Sequence, residues 1–308
     1  MSNTVVKVSP AKIKEMKQYY QDALLDKIPG GGIFIAKLPG CTITAYRSGK
    51  VLFQGAGCTS EAAKWEEALE KKPAKTKTSG NSLPANIGSL SVIGSDEVGT
   101  GDYFGPITVV SAYVKKEQIP LLKELGVKDS KGLKDDQIAR IAKDLLTFIP
   151  YSLLKLPNEK YNRLQQSGMS QGKIKALLHN RALYNLSQKI APEKPEAILI
   201  DQFAEAGTYY RYLQNEKIIM QDGVFFSTKG ESVHLAVAAA SILARYAFVR
   251  AFEKLSREAG MTLPKGAGTQ VDVAAARLIK ARGVDVLPHF TKLHFANTEK
   301  AKRIAGVK

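Results

Sequence analysis

Between Lys71 and Ser89 the chain reads KKPAKTKTSGNSLPANIGS, a run that carries Lys71, Lys72, Lys75 and Lys77 and no acid. Its apolar residues recur at neither the two-residue period of a strand nor the 3.6-residue period of a helix. Such a stretch supplies no element to a core, so the chain on each side of it has to bury its own. This predicts three parts: a small N-terminal domain over 1–70, a basic flexible linker over 71–89, and a larger domain over 90–308.

The N-terminal part opens with a helix signal over Ser9 to Leu25. Ser9 is a capping residue, Pro10 stands in the first turn, and apolar side chains return at helical spacing. After Gly30, Gly31 and Gly32 come the β-rich runs GIFIAKLPG, CTITAYRSG and KVLFQGAG, then a second helical pattern, CTSEAAKWEEALEK. The order is helix, strands, helix, a small α+β unit. Thr42, Thr44 and Tyr46 alternate with Ile43 and Ala45, so one sheet face is apolar and the other is free to meet a nucleic-acid backbone. Tyr46 and Lys50 are the residues expected to make that contact. For an aromatic on a strand, packing is the competing reading.

Charge narrows the partner. Lys and Arg total 45 against 29 Asp and Glu, a formal net charge of +16 in 308 residues, and such an excess attracts polyanions over long range. The two cysteines, Cys41 and Cys58, make neither a disulfide framework nor a zinc-type pair and read as reduced thiols of a cytoplasmic protein. The start MSNTVVKVSP has no secretory pattern. The most apolar stretch, Leu235 to Val249, contains Arg245 and falls short of the roughly 20 residues that cross a bilayer, so a buried helix is expected and no membrane partner. No obligate protein partner is evident, and a monomer is expected.

Beyond the linker, strand-like and helical runs alternate. SLSVIGSD and PITVVSAYV come first, then helices near Ile119–Leu125 and Lys134–Phe148, the run YSLLKLP, a long basic helix over Gln171–Ile190, and the strand EAILID. AGTYYRYLQNE, IIMQDGVFFSTKG and an apolar helix from about Ser232 follow. Adjacent strands followed by β/α alternation predict an α/β fold, a mixed sheet flanked by helices.

The chemistry gathers where these strands end. Val92 and Ile93 lead into Ser95-Asp96-Glu97-Val98-Gly99-Thr100-Gly101. Two adjacent carboxylates at a buried strand end repel one another, and a divalent cation is the natural way to neutralise them. The Gly-x-Gly pattern here is followed by Pro106 and another strand rather than a helix, which argues against a dinucleotide fold; Gly99, Thr100 and Gly101 instead suit close approach to a nucleic-acid strand. Asp201 closes the apolar run Ala197–Ile200, where a helix cap is the plainer role. Glu231 precedes the apolar helix, where it suits the positive end of the helix dipole. Together the four acids can also converge on two Mg²⁺ or Mn²⁺ ions about 4 Å apart. His179, His234, His289 and His294 form no triad, and His234 reads as structural.

Four segments lie in the order of a known family: DEVGTGDYFGP (Asp96–Pro106), DSKGL (Asp129–Leu133), LIDQF (Leu199–Phe203), and KGES with VAAASILAR (Lys229–Arg245). With them the chain resembles the type 2 ribonuclease H superfamily, and within it the bacterial ribonuclease HIII branch. The resemblance implies a ribonuclease H-like catalytic domain preceded by a small domain similar to the TATA-box-binding protein fold. It also implies a metal-dependent endonuclease that cuts the RNA strand of RNA/DNA hybrids and leaves 3′-hydroxyl and 5′-phosphate ends. By the same resemblance Asp96, Glu97, Asp201 and Glu231 are the catalytic, metal-binding acids. Gly99-Thr100-Gly101 in place of Gly-Arg-Gly, and Glu231 in place of Asp, set the chain apart from the sister ribonuclease HII, which cuts beside single embedded ribonucleotides. Ser130 and Lys131 are expected at substrate phosphates. The alternatives are a noncatalytic nucleic-acid-binding protein and an enzyme of ribonuclease HII specificity.

Overall fold

The computed structural model describes residues 3–26, 28–29, 31–66, 83–128 and 130–307, with the side chains of Glu66 and Lys131 left aside. The chain forms two compact units, Met1–Lys77 and Thr78–Lys308. Residues 71–82 of the expected linker lie outside the described residues.

In the first unit, β1 (Asn3–Lys7) precedes α1 (Pro10–Tyr19), followed by β2 (Gly32–Leu38), β3 (Cys41–Tyr46), β4 (Lys50–Gln54) and α2 (Cys58–Glu66). The sheet is antiparallel in the order β1-β4-β3-β2. Ser9 caps α1 by accepting the Lys12 N–H at 3.2 Å, as its side chain promised. The helix stops at Tyr19, short of the expected Leu25. Its Ile13 and Met16 meet Phe34, Ile43, Val51, Phe53 and Trp65 in a closed core. β1 was not anticipated: five residues at a sheet edge show little period of their own, and their order comes from β4, with Val5 opposite Leu52 and Val6 opposite Val51.

The second unit holds β5 (Val92–Val98), β6 (Ile107–Val114), α3 (Ile119–Glu124), α4 (Asp135–Phe148), β7 (Tyr151–Leu156), α5 (Asn158–Gln166), α6 (Gln171–Ile190) and β8 (Ala197–Asp201). After these come α7 (Ala206–Leu213), β9 (Val224–Ser227), α8 (Gly230–Val233), α9 (Leu235–Ala259), α10 (Thr269–Arg282), α11 (Leu287–Phe290) and α12 (Asn297–Ala305). Its sheet runs β7-β6-β5-β8-β9, antiparallel on the β6 side of β5 and parallel on the β8 side. The mixed sheet flanked by helices that the alternation predicted is present.

β5 is the centre of the sheet and is covered on both faces, by α9 and by α6. Gly94 permits the first contact. A Cβ there would lie 2.2 Å from the Ala236 carbonyl carbon and the Val237 nitrogen, so only glycine lets α9 come this close. On length and composition alone α9, at 25 residues, is apolar enough to cross a membrane, which corrects the shorter stretch read from sequence. In the fold its first half is core: Ala236, Val237, Ala238, Ala239 and Ala240 are fully buried. The helix begins later than Ser232, because His234 breaks the run. Its extended backbone ends α8, and its Nδ1 accepts the Ala236 N–H at 2.9 Å as the cap of α9. A second core, of Tyr103, Phe248, Phe252, Leu278 and Phe290, is built with α10, α11 and α12.

Candidate active site

The acid pair lies inside β5 rather than after its end. Parallel pairing with β8 stops at Ser95 opposite Ile200, but antiparallel pairing with β6 continues through Asp96, Glu97 and Val98 to Thr108. Two consequences follow. Asp96 and Asp201 each stand one residue past the last parallel pair, so they are lateral neighbours on strands spaced about 4.8 Å apart. Because strand side chains alternate, Asp96 and Glu97 leave the sheet on opposite faces.

Glu231 arrives from β9. Asp201 pairs with Ser227, the chain turns through Lys229 in a left-handed conformation (φ 58°), and the Gly230 N–H donates to Asp201 Oδ1 at 2.8 Å. Asp201 therefore does tie down a helix start, but that of α8 rather than of the segment that follows it. This bond sets Glu231, 7% exposed, in the first turn of α8 beside the strand ends.

The electrostatics of the two faces differ. Asp96, 8% exposed, is pushed up to about 7, first by burial and then by the charges of Glu97 and Asp201. Hydrogen bonds from the Ser241 side chain and from the Glu97 N–H, the latter 2.7 Å from Oδ1, work the other way. Burial also acts to raise Glu97, but His179 and Lys175 outweigh it and hold the carboxyl down to about 2. Lys175 Nζ lies 2.8 Å from Oε1 and His179 Nε2 3.0 Å from Oε2. His179 is anchored by Ser95 Oγ at 2.8 Å from Nδ1, and its ring stacks on Phe203, 5.1 Å between centroids. The Lys175 ammonium lies 4.1 Å from the centre of the same ring.

Sequence reading missed Lys175 as a partner of Glu97 and gave His179 no role. One signal was available: the two are four apart on α6, hence on one helix face.

Among the described residues, no three His, Cys, Asp or Glu side chains stand ready to hold one ion. The donor set nevertheless fits a hard divalent cation. The acids on the Asp96 side offer carboxylate oxygens, the choice of Mg²⁺ and Mn²⁺, and such an ion relieves both the burial and the repulsion from Glu97 and Asp201 that raise Asp96.

The remaining expected site residues are distributed as follows. Gly99 (φ 94°) is buried, and a Cβ on it would lie 2.3 Å from the Pro106 carbonyl oxygen. The Thr100 carbonyl accepts from Gln171 Nε2 at 3.0 Å, while Gly101 is exposed with open space where a Cβ would be. Behind this turn the fully buried Lys292 donates to the carbonyls of Asp102 (2.7 Å) and Gly105 (2.5 Å), and burial pushes its ammonium down to about 7. Ser130 is 5% exposed, and its Oγ lies 2.8 Å from the Oγ of Ser241, the residue bonded to Asp96. The Lys131 side chain lies outside the described residues. In the first unit, half-buried Tyr46 and exposed Lys50 line one hollow of about 420 Å³ with Val5, Arg47 and Leu52.

Comparison with known proteins bears on the whole chain. Residues 93–298 match the family model described as Ribonuclease HII, and residues 3–78 match a domain of unknown function, DUF3378. Ribonuclease HIII of Bacillus mycoides is 61% identical and that of Bacillus cereus 60% identical, each over 99% of both chains. Among solved structures, that of Bst-RNase HIII in complex with Mn²⁺ superposes with a TM-score of 0.71 at 51% identity, covering 99% of both chains. With the segments around Asp96, Asp201 and Glu231 set at one end of the mixed sheet and likeness running through both units, the chain belongs to the ribonuclease HIII family of metal-dependent endoribonucleases.

Proposed function

We propose that the chain hydrolyses the RNA strand of RNA/DNA hybrids with two divalent ions, Mg²⁺ or Mn²⁺, and leaves 3′-hydroxyl and 5′-phosphate ends. The observation that carries this reading is the apposition of Asp96 and Asp201 on neighbouring parallel strands, with Glu231 tied to them through the Gly230 to Asp201 hydrogen bond. Mn²⁺ in the solved Bst-RNase HIII complex supports the choice of ion.

Asp96, Glu97, Asp201 and Glu231 would hold the ions. When bound, the ions lower the pKa of the attacking water and stabilise charge on the departing 3′ oxygen. The protein's own part is electrostatic and positional. Ser241 and the Glu97 N–H hold the Asp96 carboxyl in place, and Lys175 and His179 keep Glu97 ionised. No side-chain nucleophile is required.

Selection of RNA rests on the 2′-hydroxyl and the shape of the hybrid. The Gly99-Thr100-Gly101 turn, with open space at Gly101, suits backbone contact with the RNA strand, and Ser130 and Lys131 are assigned to phosphates nearby. Residues 1–70 form the substrate-gripping domain in this reading, with Tyr46 and Lys50 at the backbone. The net charge of +16 supplies the long-range attraction.

The test is cleavage of an end-labelled hybrid in Mg²⁺ or Mn²⁺. Cutting of the RNA strand by the wild type and not by Asp96→Asn supports the proposal; a mobility shift without cutting makes the protein a binder. A duplex with one embedded ribonucleotide should resist, and efficient cutting there would place the specificity with ribonuclease HII.

A further inference from the structure

We infer that Lys175 is a positioning residue, a built-in counter-cation that holds the Glu97 carboxylate on the α6 side of the sheet, so that a divalent ion has to compete with it for Glu97. The inference rests on the reading of Glu97 as a metal ligand.

Strand alternation sends Glu97 toward α6 and Asp96 toward α9, and on the α6 side Glu97 is met by two groups with different freedom. His179 is fully buried, bonded to Ser95 Oγ through Nδ1 and stacked on Phe203, so it belongs to the frame. Lys175 reaches Glu97 at 2.8 Å with its own side chain 14% exposed and that of Glu97 10% exposed. That shielding separates the pair from the open surface ion pairs of the chain, whose net effect is small. The ammonium also lies over the Phe203 ring at 4.1 Å, and Phe203 follows Asp201 by two residues. A single flexible cation thus touches the acid-bearing strand β5 and the segment leaving the acid-bearing strand β8.

Charge and placement together define a competition. With Lys175 engaged, Glu97 is neutralised away from Asp96, Asp201 and Glu231, and among the described residues no group of three acids is ready to hold an ion. Lysine suits this role because its point charge rides on a long stem and can be withdrawn, whereas a guanidinium would lock the carboxylate in a two-pronged pair.

The test is Mn²⁺ binding to the full chain without nucleic acid, followed by isothermal titration, in a double-mutant cycle on Lys175 and Glu97. Lys175→Met should bind Mn²⁺ tighter by roughly fivefold or more, since the ion no longer competes with an ammonium for the Glu97 carboxylate. Lys175→Arg keeps the charge and should bind no tighter than wild type. Glu97→Gln should weaken binding, and adding Lys175→Met to it should bring no gain, because the competition runs through Glu97. Lys175→Gln, which keeps a donor without the charge, gives the same reading should Lys175→Met fail to fold. Weaker binding by Glu97→Gln with unchanged or weaker binding by Lys175→Met overturns the inference while leaving Glu97 a ligand. The same gain from Lys175→Met in the Glu97→Gln background also overturns it, by showing only a general field. If Glu97→Gln leaves the Mn²⁺ affinity unchanged, the ligand reading itself fails and the inference falls with it.

Discussion

Asp96 and Glu97 are neighbours on one strand, yet one is pushed up to about 7 and the other held down to about 2. Both are buried, so burial does not separate them. What differs is the face. Toward α9, Asp96 finds a serine hydroxyl and the charges of other acids; toward α6, Glu97 finds a lysine and a histidine. The strand's two-residue period assigns one carboxylate to a side shared with Asp201 and the other to a side that carries a lysine and a histidine. In the proposed function it is the first that takes a cation from outside.

The largest expected effect is on catalysis. Asp96→Asn should lower kcat on a hybrid by at least about a thousandfold, the scale of removing a main electrostatic group from a reaction centre, with the fold intact by circular dichroism. A smaller loss than that of Glu97→Gln would reverse the ranking of the two faces.

Next in size is the α6 frame. His179→Ala removes a fully buried ring from between Glu97 and Ser95 and should destabilise the metal-free protein by about 3–5 kcal/mol in urea denaturation, as loss of one partner of a buried pair does. A loss below about 1 kcal/mol, the range of an exposed pair, would mean that Glu97 is not held as described.

The faces should also answer pH with opposite signs in EDTA. Asp96 is raised above its unfolded value, so the folded state favours its proton. That contribution is full near pH 4 and is lost as pH rises toward about 7. Glu97 is lowered, so its contribution is present above the unfolded value near 4.3 and is lost as pH falls toward about 2. Asp96→Asn should therefore raise Tm at pH 8 and give less at pH 5, while Glu97→Gln should lower Tm at pH 8. Thermal scans of the two variants showing the same sign at pH 8 would contradict the contrast.

The smallest effect belongs to Ser241→Ala, which removes the hydroxyl shared by Asp96 and Ser130. A cost of about 1 kcal/mol is expected, with a further rise of the Asp96 pKa visible in EDTA as an alkaline shift in the pH profile of Tm. An unshifted profile would remove Ser241 from the account.

Much of this was legible beforehand because it is local. The helix over Gln171–Ile190 and the strand run ending at Asp201 follow from apolar period and flanking residues, and Asp96, Asp201 and Glu231 stand out as acids at the ends of apolar runs. What was not legible depends on partners far along the chain. β1 takes its order from β4, the helices α10 to α12 close around a core whose ring partners lie in α9 and beside β6, and the polar helix α5 is held by Asn158 and Asn162, which donate to carbonyls of α11. The strand run after Val92 passes through Asp96 and Glu97 instead of stopping there, because β6 goes on pairing after β8 has let go. That difference sets the direction of Glu97, and no local pattern contains it.

The most direct test of the central claim is an anomalous difference map from crystals of the chain soaked in Mn²⁺. The account predicts peaks within coordination distance of Asp96, Asp201 and Glu231, with the Glu97 side chain turned from Lys175 toward them. Peaks only elsewhere, or none at a concentration that supports cleavage, would contradict it.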